Sequence, residues 1–272
     1  MKNVSRRSAI ATLSGIAALG LAGCGGNTDS ESASADGYTL VNDGQLSVVY
    51  SNGFPPFEFS TDDGSGTQGF DIDLITAVAE QMGLECNILP TQKFDTLVPT
   101  IKAGGKADVC ISAVTINDER SAEIDFSDPY LNSNQALLAL ATSTYASLED
   151  FDQAGNVLVA SAGTTGQTWG EENFSQAEIV PLDDYVSCFT GVSSGLYQGA
   201  IADLPVAQYL TEQSYKDLKV CVEVPTGEQY GIVVSKDNPG LTKAINEALA
   251  ALQENGTMDE IKIKWFGTTE GL

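Results

Sequence analysis

Arg120 stands where its side chain could grip a small carboxylate. It lies in the run SAVTINDERSAEIDFSDPY (112–130). The preceding residues, ADVCISAVT, are apolar and β-branched and end in small polar residues. Asn117, Asp118 and Glu119 then read as the capped start of a short helix. A strand that turns into a helix here leaves backbone N–H groups near Ala113 and Thr115 free to donate, and the Thr115 hydroxyl adds a further bond. The planar guanidinium of Arg120 matches a carboxylate in two-point fashion. The plainer alternative is a surface helix with an ion pair from Arg120 to Asp118 or Glu123.

Composition removes several chemistries. The 272 residues include no histidine, which excludes Ser-His-Asp and Cys-His nucleophiles, the HExxH zinc site and the usual neutral-pH general base. No metal or cofactor is expected. The net charge is −24, and it becomes −27 once Lys2, Arg6 and Arg7 of the first 23 residues are removed. A chain so acidic repels nucleic acid and anionic lipid. Five cysteines without a CxxC pair give no zinc or redox motif. Cys86 and Cys110 fall in predicted buried strands, where a free thiol behaves as a small hydrophobe.

The N-terminal residues point to export. Lys2, Arg6 and Arg7 form a basic head, AIATLSGIAALGLA is an apolar stretch too short to be a stable span, and LAGC is a cleavage box. That box resembles the bacterial lipobox, which implies cleavage after residue 23 and lipidation of Cys24 outside the cytoplasm. Arg6-Arg7 also resembles a twin-arginine signal, without its usual bulky residue two places on. Residues 24–37 read as a flexible linker.

The remaining chain alternates strands and helices, an α/β pattern. Strands are predicted at QLSVVYS, LECNILP, ADVCISAVT, QALLALAT, NVLVASAG, AEIVPLD, GAIADLP, KVCVEVP and YGIVVSK. Ile75, Val78, Ala79 and Met82 form one apolar stripe on a helix from Asp71 to Met82, which Gly83 ends. Leu241–Asn255 and Met258–Trp265 read as a C-terminal helical pair. GSGTQG (64–69) matches a dinucleotide fingerprint on paper but lacks the buried strand before it. It reads as a turn joining two short strands.

Several runs together resemble the polar-amino-acid-binding solute-binding proteins of ABC importers. They are FPPFEF (54–59), GFDIDLITAVAEQMG (69–83), FDTLVPTIKAGGKAD (94–108), TINDERSAEIDFSDPY (115–130), GTTG (163–166), GAIADLP (199–205), YGIVVSK (230–236) and ENGTMDEIKIKWFG (254–267). The resemblance implies a type II periplasmic-binding fold, two doubly wound α/β lobes joined by a two-strand hinge with the ligand between them. Lobe 1 is expected at 38–134 plus 226–272 and lobe 2 at 135–225. It further implies that Arg120 holds a ligand carboxylate with Thr115 and Thr165, and that Asp203 receives the ammonium group with a carbonyl near Ser112 or Ala113. Phe54 and Phe94 match aromatic positions around the ligand side chain, and Ser51, Ser161 and Ala202 match positions of side-chain discrimination. Helix capping is the plainer role for Asp203, and core packing for the two phenylalanines.

Many relatives carry an acid where this chain has Ser51, and a second acid beside the position of Asp203, here flanked by Ala202 and Leu204. The ligand expected is therefore a neutral polar, glutamine-like amino acid, and the partners expected are ABC permease subunits, with the protein itself a monomer anchored through Cys24. A ligand sensor reporting to a membrane receptor, or an exported dehydratase using Glu58 or Asp95, would employ the same cleft. Cys188 and Cys221 fall in lobe 2, where a helix and a nearby strand could bring them into a disulfide.

Overall fold

The computed structural model describes residues 37–270. The expected signal peptide, lipobox Cys24 and most of the linker lie outside the described residues. From the amino end the elements are β1 (Gln45–Val49), the hairpin strands β2 (Phe59–Ser60) and β3 (Thr67–Gln68), α1 (Phe70–Gln81), β4 (Glu85–Ile88), α2 (Leu97–Ala103), β5 (Val109–Cys110), α3 (Asp118–Glu123) and β6 (Asp125–Phe126). The long strand β7 (Leu131–Leu140) follows, then α4 (Leu148–Phe151), β8 (Val157–Ser161), α5 (Thr165–Asn173), β9 (Glu178–Leu182), α6 (Tyr185–Ser193), β10 (Gly199–Asp203) and α7 (Leu204–Gln213). The chain ends with β11 (Leu218–Tyr230), β12 (Val233–Val234), α8 (Pro239–Glu254) and α9 (Thr257–Phe266).

Two mixed sheets divide these elements into two lobes. The first has the order β4-β1-β5-β12-β6 and the second β11-β7-β10-β8-β9. In the first, β4, β1 and β5 run parallel and β12 is antiparallel to its neighbours. In the second, β9, β8 and β10 run parallel, and β7 is antiparallel to both β10 and β11. Each parallel strand needs a crossover, and helices on both faces supply it. β7 and β11 pair over most of their length and lie at the crossings between the lobes, and α8 returns to pack on α1, β6 and β12.

Helix α1 shows how the sequence builds its elements. Leu74, Ile75, Val78 and Ala79 are fully buried on one face, the three larger side chains each contributing about 1.5–3 kcal/mol. Gly83, at φ 72°, follows the helix and turns the chain. Of the GSGTQG segment, Gly64–Gly66 belong to the turn between β2 and β3, whereas Thr67 and Gln68 form β3 itself. Among the described residues three hydrophobic clusters make up the core, and the largest runs through both lobes, from Leu46 and Leu74 to Val159 and Val206.

Two strands differ from expectation. ADVCISAVT keeps sheet pairing only at Val109 and Cys110, because Ala113 adopts φ 45° and its N–H is taken by the Asp71 carboxylate at 2.7 Å. Thr115 then rejoins the chain pairing as a single bridge to Tyr230. KVCVEVP does not stop at Pro225: β11 bulges between Val224 and Glu228 and pairs again through Tyr230. The four described cysteines, Cys86, Cys110, Cys188 and Cys221, are all free thiols. Cys188 packs in the core on α6, whereas Cys221 packs with a different cluster from β11, so the disulfide considered between them is not formed.

Candidate functional site

Arg120 is placed by the cap of its own helix: the Asn117 side chain accepts the Arg120 N–H at 2.8 Å and fixes the first turn of α3. Its side chain turns toward the second lobe. Nη1 donates to the Thr115 carbonyl at 2.8 Å and Nη2 to the Gly163 carbonyl at 3.0 Å. The guanidinium carbon lies 5.5 Å from the centroid of the Phe94 ring, a cation–π contact. Burial pulls the guanidinium below its ordinary range, and the charges of Asp203 and Glu228 oppose that shift. The surface ion pair to Asp118 or Glu123 is not made; Arg120 faces the cleft.

Thr165 opens α5, behind the N-cap Thr164 whose hydroxyl accepts the Gln167 N–H. An N–H in this first turn has no acceptor within the helix. The Thr165 hydroxyl lies 3.4 Å from that of Thr115, so the two lobes meet at a pair of hydroxyls beside Arg120. A cavity of about 280 Å³ lies next to them, lined by Phe94, Asp95 and Arg120 from one side and by Gly163, Thr165 and Thr168 from the other.

Asp203 closes β10 and is 4% exposed. Its carboxylate makes no capping bond to α7. It accepts instead from the Tyr230 hydroxyl at 2.6 Å and from the Gln135 amide at 2.7 Å. The Tyr185 hydroxyl stands 3.5 Å away. Burial, and then the charge of Glu228, push the Asp203 carboxyl up to about 7, while the bonds from Tyr230 and Gln135 and the nearby Arg120 hold it down. Ala202, the preceding residue, points to the opposite face of the strand, where it is packed in the core cluster that includes Val206 and Ala207.

The remaining predicted positions cluster on the first lobe. The Ser51 N–H donates to the Ser112 hydroxyl at 3.2 Å, and that hydroxyl donates to Glu58. Glu58 and Asp71 are both fully buried beneath Ser112 and Ala113. Burial and the Asp71 charge raise the Glu58 carboxyl well above its ordinary range. Burial also raises Asp71, to about 7, against the bonds it accepts from Ala113 and Tyr130. Phe54 is 7% exposed and meets Tyr185 of the second lobe with ring centroids 4.9 Å apart. Phe94 remains under Arg120, and Ser161 is buried at the end of β8, its carbonyl accepting the Thr164 hydroxyl.

Four polar residues of this centre escape the sequence reading: Gln135, Tyr185, Glu228 and Tyr230. Gln135 closely follows Asn132 and Asn134 and carries no local signal that sets it apart. Glu228 has none either in a chain so rich in acids. Its carboxylate lies 2.9 Å from the Thr115 hydroxyl and 2.9 Å from that of Thr165.

Residues 46–268 match the bacterial extracellular solute-binding proteins, family 3. The chain belongs to that family. Among its relatives, the solute-binding protein is 31% identical over 225 residues to the L-cystine-binding protein TcyJ of Escherichia coli (strain K12), covering 82% of this chain and 83% of the relative. It is 32% identical over 272 residues to the probable histidine-binding protein of Neisseria gonorrhoeae, covering 96% of each. In structure it is similar to an ancestral arginine-binding protein bound to glutamine, with a TM-score of 0.77, 34% identity and coverage of 83% of this chain and 99% of the other. The solute-binding protein thus has the type II periplasmic-binding fold, and the cleft between its lobes is where Arg120, Thr115, Thr165 and Asp203 converge.

Proposed function

We propose that the protein is the substrate-binding component of an ABC importer and binds an amino acid between its two lobes. The observation that carries this reading is the charge arrangement of the cleft. A guanidinium with two hydroxyls lies on one side and a buried carboxylate on the other, so a zwitterion taken from water finds a fixed partner for each charge. Arg120 receives the ligand carboxylate with the Thr115 backbone and hydroxyl and with the N–H of Thr165, at the start of α5, whose hydroxyl stands beside that of Thr115. Asp203 receives the ammonium, with the carbonyl of Ser112 or Ala113 as a second acceptor. Phe54 and Phe94 flank the ligand side chain, which Ser51 and Ser161 discriminate.

Arg120 and Thr115 lie on the segment that follows β5, and Thr165 and Asp203 stand at the ends of elements of the other sheet. A ligand bridging them stabilises the closed arrangement by its contacts to both, which is closure by population shift. In this reading 38–134 with 226–272 form one moving body and 135–225 the other, and the permease recognises the closed form. The protein acts outside the cytoplasm as a monomer, lipidated at Cys24, without cofactor or enzymatic turnover. A hydroxyl at Ser51, where many relatives carry an acid, favours an uncharged polar side chain, glutamine-like in size.

The test is thermal unfolding of protein stripped of ligand by unfolding and refolding, against each of the twenty amino acids at fixed pH and salt. Native-state binding stabilises by about 2.7 kcal/mol at a hundredfold excess over Kd. A rise in Tm confined to a few amino acids is expected, and Arg120→Ala should remove it while leaving the ligand-free melt in place. Equal binding by Arg120→Ala would end the carboxylate-clamp reading.

A further inference from the structure

Glu228 is a charged side chain of the cleft, bonded to both clamp hydroxyls, that the amino-acid reading does not use. It sits near the end of β11, where the chain crosses between the lobes. One of its carboxylate oxygens is 2.9 Å from each of the Thr115 and Thr165 hydroxyls, and the Gln135 amide lies 3.1 Å from both of its oxygens. The two hydroxyls come from different lobes and are the groups that a ligand carboxylate beside Arg120 needs. Each has a single proton to donate. Two carboxylates sharing this point would also repel each other. A ligand carboxylate and the Glu228 carboxylate therefore exclude one another.

The side chain has somewhere else to go. A cavity of about 700 Å³ is lined by Leu204, Tyr209, Trp265 and Glu228, and of the clamp residues only Glu228 reaches it. The backbone next to it is not held in a regular ladder: pairing shifts between Val224 and Glu228, and Gly227 stands at φ 65°.

We propose that Glu228 is an internal competitor for the ligand carboxylate. In the ligand-free protein its carboxylate occupies the Thr115–Thr165 hydroxyl pair and ties the lobes together, and an amino acid binds by displacing it toward the neighbouring cavity. This deepens the proposed amino-acid function and rests on it for the identity of the ligand.

The experiment compares the parent with Glu228→Ala and Glu228→Gln by two measurements. Small-angle scattering without ligand reads the tie between the lobes: Glu228→Ala should have a larger radius of gyration than the parent, and an unchanged radius would overturn the proposal. Calorimetric titration, with the amino acid that most raises the parent's Tm, reads the competition. Glu228→Ala should bind roughly tenfold more tightly, the value of a lost charged hydrogen-bond competitor. Glu228→Gln keeps the shape without the charge and should fall between the two. Weaker binding by both variants would make Glu228 a ligand partner instead, and unchanged binding would make it a bystander; either overturns the proposal. If the parent binds no amino acid, the proposed function fails, while the scattering comparison still decides whether Glu228 ties the lobes.

Discussion

Asp203 is a carboxyl group whose proton is held near neutral pH, raised to about 7 by burial and by the Glu228 charge. An arriving ammonium group favours the ionised form, so binding lowers this pKa and expels whatever proton is present. Ligand affinity should therefore fall as pH drops below about 7, by up to about tenfold per pH unit for one linked proton. Titration calorimetry between pH 8 and 5 measures this, and Asp203→Asn should bind weakly and lose the pH slope. Affinity that holds steady on acidification would remove Asp203 as the ammonium partner. At this scale the sequence shows the groups that carry full charge or sit in recognisable runs. Arg120 and Thr115 stand out because a strand end and a helix cap place them, whereas Asp203 is singled out only by the family resemblance of its run. Gln135, Tyr230 and Glu228 were not legible, because nothing local tells that β7 and the bulged end of β11 bring them to one point.

Helix α1 is set by one contact that only glycine permits. At Gly69 the backbone has φ 145°, and a Cβ there would come within 1.9 Å of the Phe57 carbonyl. The close approach lets the Phe70 and Asp71 N–H groups donate to Pro56 and Phe57 at 2.8 and 3.0 Å. It also seats Asp71 under Ala113, whose strained backbone shapes the floor of the cleft. Gly69→Ala should cost on the order of 3 kcal/mol, from strain and overpacking together. Denaturant unfolding measures the loss, and ligand affinity should weaken with it because Asp71 shifts. A Gly69→Ala protein as stable as the parent would mean that Phe57 and α1 can separate freely. Element types were legible from the apolar period where it is strong, as in α1. The breaks were not: ADVCISAVT reads as one strand since its residues are mostly apolar or β-branched, and only the long-range bond from the Ala113 N–H to Asp71 ends its pairing.

Over the whole molecule, buried carboxyl groups make stability depend on pH in a direction unusual for proteins held together by ion pairs. Glu58, Asp71 and Asp203 are raised by burial, and Asp108 is raised for the same reason. A raised carboxyl binds its proton more tightly in the folded than in the unfolded chain. Its stabilising effect is complete below the unfolded value near 4 and is lost as pH rises through the folded value, about 7 for Asp71 and Asp203. Asp63, Asp150 and Asp152 are lowered by hydrogen bonds, with Asp63 at about 2. Their contribution is present above pH 4 and is lost only in stronger acid. Between pH 5 and 7.5 the raised groups therefore decide the sign, and the large net negative charge adds to it because protonation relieves self-repulsion. Ligand-free protein should melt several degrees higher at pH 5 than at pH 7.5. General repulsion alone would leave that difference intact in Asp71→Asn, whereas the buried pair predicts that the variant flattens it. Melting curves of parent and variant at the two pH values separate these causes, and a parent that melts lower at pH 5 would contradict the protonated state of the buried carboxyls.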